Sequence, residues 1–180
     1  MFNLSKSARI KKTADKLYRL IIQQARRKEF YQDFGVADTV DGRFDMILLL
    51  SYILFKRLKN KTKDSQELSQ AIFDLMFSDM DQNLREIGIG DIGVSHRIKD
   101  MVKAFYGRVN AYDSALLHEN PKHLAEALKR NLYRKANANN SQITALANYV
   151  LSELKSLEAQ EIETIVDGQL YYTVPQKHLE

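Results

Sequence analysis

The chain has no cysteine and no tryptophan, and only two prolines and seven glycines in 180 residues. Without cysteine there is no disulfide framework, no thiolate metal site and no Cys–His nucleophile. So few chain-breaking residues argue for long helices rather than many short strands. Long apolar runs are also missing. The most hydrophobic stretch, "MILLLSYILF" from Met46 to Phe55, is flanked by Asp45 and Lys56. It falls well short of the ~20 residues that span a bilayer, so it reads as a buried core helix. No uncharged apolar stretch follows the basic start, so no secretory signal is expected, and Leu179-Glu180 reads as a cloning scar.

What is present fits one soluble domain: 44% hydrophobic and 28% charged residues are ordinary for a globular chain of this length. The net charge of +4 is unevenly placed. Residues 1–30 carry nine basic groups against Asp15 and Glu29, a balance of +7 that leaves the rest of the chain at −3. Such an arm suggests contact with an anionic surface (RNA, lipid headgroups or an acidic protein), through Lys11, Lys12, Lys16 and Arg19. The competing reading is a solvated helix face. A second basic cluster spans Lys56–Lys63, but neither cluster interleaves stacking aromatics with its charges as RNA-binding surfaces do.

Hydrophobic periodicity finds helix after helix. Ile10, Ala14, Leu17 and Ile21 mark a first helix over about 7–28, and "KEFYQDFG" a short turn of helix ending at Gly35. Asp41 is placed to cap an apolar helix reaching Leu58, and Asp64-x-x-Glu67 reads as a capping box for the next. That helix carries Leu68, Ile72 and Leu75 on one face, with Phe73, Phe77, Met80, Leu84 and Ile87 beside them. Gly88 stands as its C-terminal glycine. Ser95 or Asp91 then caps a helix with Ile98, Val102, Phe105, Val109, Tyr112 and Leu116 inward. Asn120-Pro121 opens another helix, Ser141 caps one to about Leu157, and "DGQLYYTVP" is expected to be extended. The fold class is all-α: one compact domain of six or more helices around the apolar central one.

Chemistry-bearing motifs are thin. Gly88-x-Gly90-x-x-Gly93 matches a dinucleotide fingerprint literally, yet that motif needs a strand before its first glycine, and a helix stands there. The glycines are expected to make a tight reversal instead. Asp79, Asn83 and Glu86 share a helix face and could act as acid and base or hold a cation. Pairing with neighbouring cations such as Arg43 or Arg108 is the simpler account. His96, His118, His123 and His178 lack metal-ligand spacing. Gly107, costly inside a helix, points to a close helix crossing or a docking groove. Nothing here argues for an enzyme, a cofactor or a small-molecule substrate.

The segment from Phe73 to Leu116 resembles the ubiquinol–cytochrome c chaperone family. The likeness rests on Asp79-Met80-Asp81, Leu84-Arg85-Glu86, Gly88-x-Gly90-Asp91, Lys99, Phe105-Tyr106-Gly107-Arg108 and Tyr112-Asp113, with "DGRFDM" at Asp41–Met46 upstream. It covers about residues 35–160, flanked by a basic helix packed on or beside the core (1–34) and a tail (161–180). The resemblance implies a non-enzymatic, all-helical assembly factor for complex III that binds a hydrophobic client such as newly made cytochrome b. Mitochondrial members act with a small partner near the ribosomal tunnel exit. The short N-terminus suggests a bacterial protein working in the cytoplasm at or near the inner membrane, or on the matrix side if the source is eukaryotic. The alternative is a basic helical module for ribosomal RNA or an anionic membrane. The family-like pattern suggests a client surface where two helices and their glycine turn meet: Asp79, Asn83, Glu86, Asp91, Tyr106, Arg108 and Tyr112.

Overall fold

The computed structural model describes residues 2–118 and 120–176, and the side chains from residue 6 onward within them. Leu179-Glu180 and His178 lie outside the described residues. Eight helices follow in order: α1 (Phe2–Ala25), α2 (Lys28–Gln32), α3 (Val40–Leu58), α4 (Lys63–Glu86), α5 (Asp91–Leu116), α6 (Pro121–Asn131), α7 (Asn140–Ala159) and α8 (Ile162–Val166). No strand occurs among the described residues.

The architecture follows from α3. Its residues 48–54 are buried without a break, because an apolar residue occurs at nearly every angle around the helix. A helix of that kind must be covered on all sides. Here α1, α4 and α7 pack directly on it. α5 packs on α4, and α6 bridges α5 to α7. The C-terminal segment closes the circle: Gln24 Nε2 of α1 donates to Tyr149 Oη of α7 at 2.9 Å and to the Thr173 carbonyl at 2.7 Å. α1 itself buries Leu17 and Ile21 completely, each contributing roughly 1.5–3 kcal/mol.

Four helix starts differ from the sequence expectation. Thr39, not Asp41, caps α3, its hydroxyl accepting from Gly42 N–H at 3.1 Å. Thr62 and Ser65 form the capping box of α4. Asp64 and Glu67 reach across to α1 instead, where Lys6 and Arg9 pair with Asp64 at 2.8 and 2.9 Å. Gly90 precedes α5 without a side-chain cap, and Asn139 with Gln142 caps α7 in place of Ser141. Asn120-Pro121 opens α6 as expected, with the Asn120 side chain accepting from Lys122 N–H. The tail holds the short α8 before the chain runs on, without strand pairing, past Gly168.

The α4–α5 reversal rests on Gly88. Its φ of 89° lies in the left-handed region. Its N–H donates to the Arg85 carbonyl at 2.9 Å while Ile89 N–H reaches Leu84 at 3.1 Å, the bond pair that ends a helix on a glycine. Gly90, with φ of −71°, needs no glycine backbone. Because nothing surrounds Gly88, Gly88→Ala isolates the backbone strain. It is expected to cost about 1 kcal/mol, read as a lower urea midpoint with an unchanged slope.

Candidate functional site

Three helices each turn one face toward a common groove. Tyr52, Phe55 and Lys56 come from α3, Gln66, Ser69, Gln70 and Phe73 from α4, and Phe105, Tyr106, Val109 and Asp113 from α5. Together they enclose about 330 Å³. The floor is aromatic. Phe55 and Phe73 meet Phe105 edge-on at 6.0 and 5.6 Å between ring centroids. Tyr106 lies 5.9 Å from Phe73 and 5.6 Å from Phe105, yet it remains 54% exposed. One ring face therefore packs and the rest waits at the groove edge. The rim is polar: Asp113 accepts from Lys56 Nζ and from Tyr52 Oη, each at 2.8 Å. Partial burial opposes ionisation of Asp113, but these two hydrogen bonds together with the charges of Lys56 and Lys59 outweigh it and hold its carboxyl below the usual range. An apolar floor with a few fixed polar groups is the ordinary make-up of a protein's binding grooves.

The structure separates the seven residues suggested by the sequence. Tyr106 alone lines the groove. Tyr112 is buried against Tyr52, ring centroids 5.4 Å apart. Asp79 accepts from Tyr18 Oη of α1 at 2.8 Å, so its partner is a phenol rather than an arginine. Asn83 and Glu86 are exposed, and Asn83 donates to the Asp79 carbonyl. Asp91 pairs with Arg85 across the turn. From Phe73 in the groove to Glu86 is roughly 20 Å along α4 at ~1.5 Å per residue, so the turn forms a separate surface. There Ile87 and Ile92 are 65% and 79% exposed, although periodicity placed Ile87 inward.

Arg108 is not on the surface. Its Nη2 lies 2.8 Å from Asp45 Oδ1, and Arg134 Nη1 donates to Asp45 Oδ2 at 2.9 Å. Arg43 pairs with Asp38 instead. Asp45 and Arg108 are both nearly enclosed. The Arg108 contact is ionic rather than a well-aimed hydrogen bond, and its Nη1 finds no partner. Burial pushes the Asp45 carboxyl up to about 6 against the pull of the two guanidiniums. Gly107 next door faces open space. It marks no close helix crossing, and the groove begins one residue before it.

No three His, Asp or Glu side chains gather for a metal among the described residues. The rings of His118 and His123 stack at 4.2 Å. A helix precedes Gly88, so the dinucleotide fingerprint lacks its strand. Lys11, Lys12, Lys16 and Arg19 are exposed on α1, with Arg19 bound to Asp15 at 2.8 Å.

Residues 32–173 match the model of the Ubiquinol-cytochrome C chaperone family. The chain belongs to that family. Among its relatives, ubiquinol-cytochrome-c reductase complex assembly factor 1 of Xenopus laevis is 23% identical, over 88% of this chain and 78% of that protein. The human protein of that name is 22% identical over the same share of the chain. The mitochondrial protein CBP3 of Saccharomyces cerevisiae is 26% identical over 82% of the chain. The chain spans about half the length of these last two, 52% and 45%. The crystal structure of the Cbp3 homolog from Brucella abortus superposes with a TM-score of 0.85 at 35% identity, covering 96% of this chain and 95% of that one. This is a chaperone and assembly-factor family for complex III rather than a family of enzymes. The groove and the Asp45 triad fall inside the matched region, and the basic face of α1 lies before it.

The triad gives a stability prediction. Removing one partner of a buried ion pair strands the other charge, at a cost of about 3–5 kcal/mol. Asp45→Ala and Arg108→Ala should each fall in that range by chemical denaturation. The double variant should lose less than the sum, since both singles break the same contact.

Proposed function

We propose that this protein is an assembly chaperone of the ubiquinol–cytochrome c reductase that holds an apolar segment of a membrane-protein client in the groove between α3, α4 and α5. Newly made cytochrome b is the client that the family resemblance favours. The observation that carries the reading is the half-exposed Tyr106 over an aromatic floor of Phe55, Phe73 and Phe105. The groove has room for anchoring side chains rather than for a whole helix, whose diameter is about 10–12 Å. The client segment therefore lies across the mouth and inserts its large residues. Ile87 and Ile92 at the α4–α5 turn offer a second apolar contact further along the same helix pair, with Glu86 and Asp91 beside them. Asn83 and the Asp79 carbonyl lie between the two surfaces, while Arg108 and Tyr112 hold α5 in place from behind. No helix among the described residues is long and apolar enough to cross a membrane. The Brucella homologue supports a bacterial setting, and a place at or near the inner membrane is part of the proposal.

A second reading concerns α1. Lys11, Lys12 and Lys16 are exposed and make no ion pair among the described residues, which suits an anionic surface such as a membrane or the ribosome. Salt separates the two activities. Phosphate contacts weaken steeply with ionic strength, whereas apolar capture persists.

Tyr106→Ala is the decisive variant, because an exposed ring can be removed without opening the core. An anchor truncation at a binding hot spot costs about 2 kcal/mol, roughly thirtyfold in affinity. Co-purification from a respiring host should lose the bound complex III subunit by that order while the melting temperature stays near wild type. Undiminished capture by a folded Tyr106→Ala protein would move the client surface away from this groove.

A further inference from the structure

A second cleft lies at the other end of the molecule from the groove's aromatic floor, where α1, α2 and the entry to α3 meet. Arg26, Lys28 and Arg43 line it with Tyr31, Gln32 and Asp38, around some 250 Å³. Asp38 is its one carboxylate and is already engaged, accepting from Arg43 Nε at 2.7 Å. That bond leaves both terminal nitrogens of Arg43 free to face the cleft. The Arg43 guanidinium is also held over the Tyr31 ring, 6.0 Å from its centroid. Tyr31 is fixed in turn by donating its hydroxyl to the Ala25 carbonyl at 2.6 Å. Three cations against one committed anion, with one arginine pre-positioned, make a setting for an oxyanion.

The cleft continues a charged line. Lys12, Lys16, Arg19, Gln23 and Arg26 recur at i, i+4, i+7, i+11 and i+14, so they form one stripe about 21 Å long at ~1.5 Å per residue. It runs opposite the buried Ala14, Leu17 and Ile21. The tail lies beside this stripe. A side chain at Gly168 would stand 3.1 Å from Lys16 Cδ, and Gln24 holds the Thr173 carbonyl. The same tail exposes Tyr171 and Val174, 67% and 52%. A cationic cleft continuous with a basic helix stripe suits an anionic bilayer surface. A nucleic acid would look for a stacking ring beside its phosphate site, and the one ring in the cleft is covered by Arg43.

We propose that the Arg26–Lys28–Arg43 cleft takes the phosphate of an anionic phospholipid headgroup and docks the C-terminal end of α1 on a membrane surface. This rests on the reading of α1 as a helix for anionic surfaces, and the test separates the two. The full-length protein is sedimented at low salt with vesicles of phosphatidylcholine alone or mixed with phosphatidylglycerol. Wild type should pellet only with the mixed vesicles. Arg26→Gln/Arg43→Gln should weaken binding about fivefold per charge removed, and Lys28→Gln alone about fivefold, so the proposal stays testable if the double variant does not fold. The charge-matched Lys122→Gln/Lys129→Gln on α6 should bind nearly as wild type. If the cleft variants bind no worse than this control while Lys12→Gln/Lys16→Gln loses binding, the helix reading stands and the cleft proposal falls. Equal pelleting with phosphatidylcholine alone, or none with either vesicle, overturns the docking proposal. Retention of an RNA oligomer in preference to vesicles also ends it and leaves α1 as a helix for ribosomal RNA. Saturation by inorganic phosphate without vesicle binding would make the cleft a site for the free ion and end the docking proposal.

Discussion

Everything in this fold answers to the need to enclose α3. A nineteen-residue helix with apolar side chains around its whole circumference cannot lie on a surface; it needs neighbours on every side. Each neighbour is amphipathic and gives one stripe to the centre. The layout of the remaining helices follows, and so does the groove. Phe55 lies near the C-terminal end of α3, only partly buried, and lines the aromatic floor with Phe73 and Phe105. The binding surface proposed for the client is thus a stretch of core left open, which explains why its chemistry is that of a core.

The Asp45 triad works on the same problem from the other side. α5 touches α3 through Tyr52–Tyr112 and Tyr52–Asp113 toward one end and through Arg108–Asp45 toward the other. The desolvation of a buried ion pair offsets much of its attraction. Its clearer contribution is to tie α5 to α3 at a second point, on the inward line between Phe105 and Tyr112.

Features encoded by neighbouring residues were legible in the sequence. The burial of residues 48–54, the Asn120-Pro121 start and the Gly88 stop each depend on a few adjacent side chains. The caps at Thr39 and Thr62 were not, because several polar residues there could serve and the choice depends on where the backbone bends. Asp64 and Glu67 imitate a capping box but are held by α1, and no local pattern reveals that. Arg108 sits between Phe105 and Tyr112 on the inward line, so its burial could have been read from spacing alone. Its partner Asp45, on another helix, could not. The α8 turn was also readable, from Ile162, Ile165 and Val166 at helical spacing before Gly168. The groove was beyond reach, since it exists only once three helices have been set at their angles.

The closure between α1 and the C-terminal segment carries a consequence for biogenesis. Gln24 bonds to Thr173 across 149 positions of chain, Tyr172 donates to the Leu50 carbonyl at 3.2 Å, and Glu153, buried within α7, accepts from Thr173 N–H. Contacts so distant in sequence form late, because the loop between them must be closed first. On the ribosome, α1 and α3 emerge long before the segment around Thr173, and the part of them that this segment covers stays open until it has been made. The client role proposed for this protein would thus meet, in other chains, the same exposed condition that it passes through during its own synthesis.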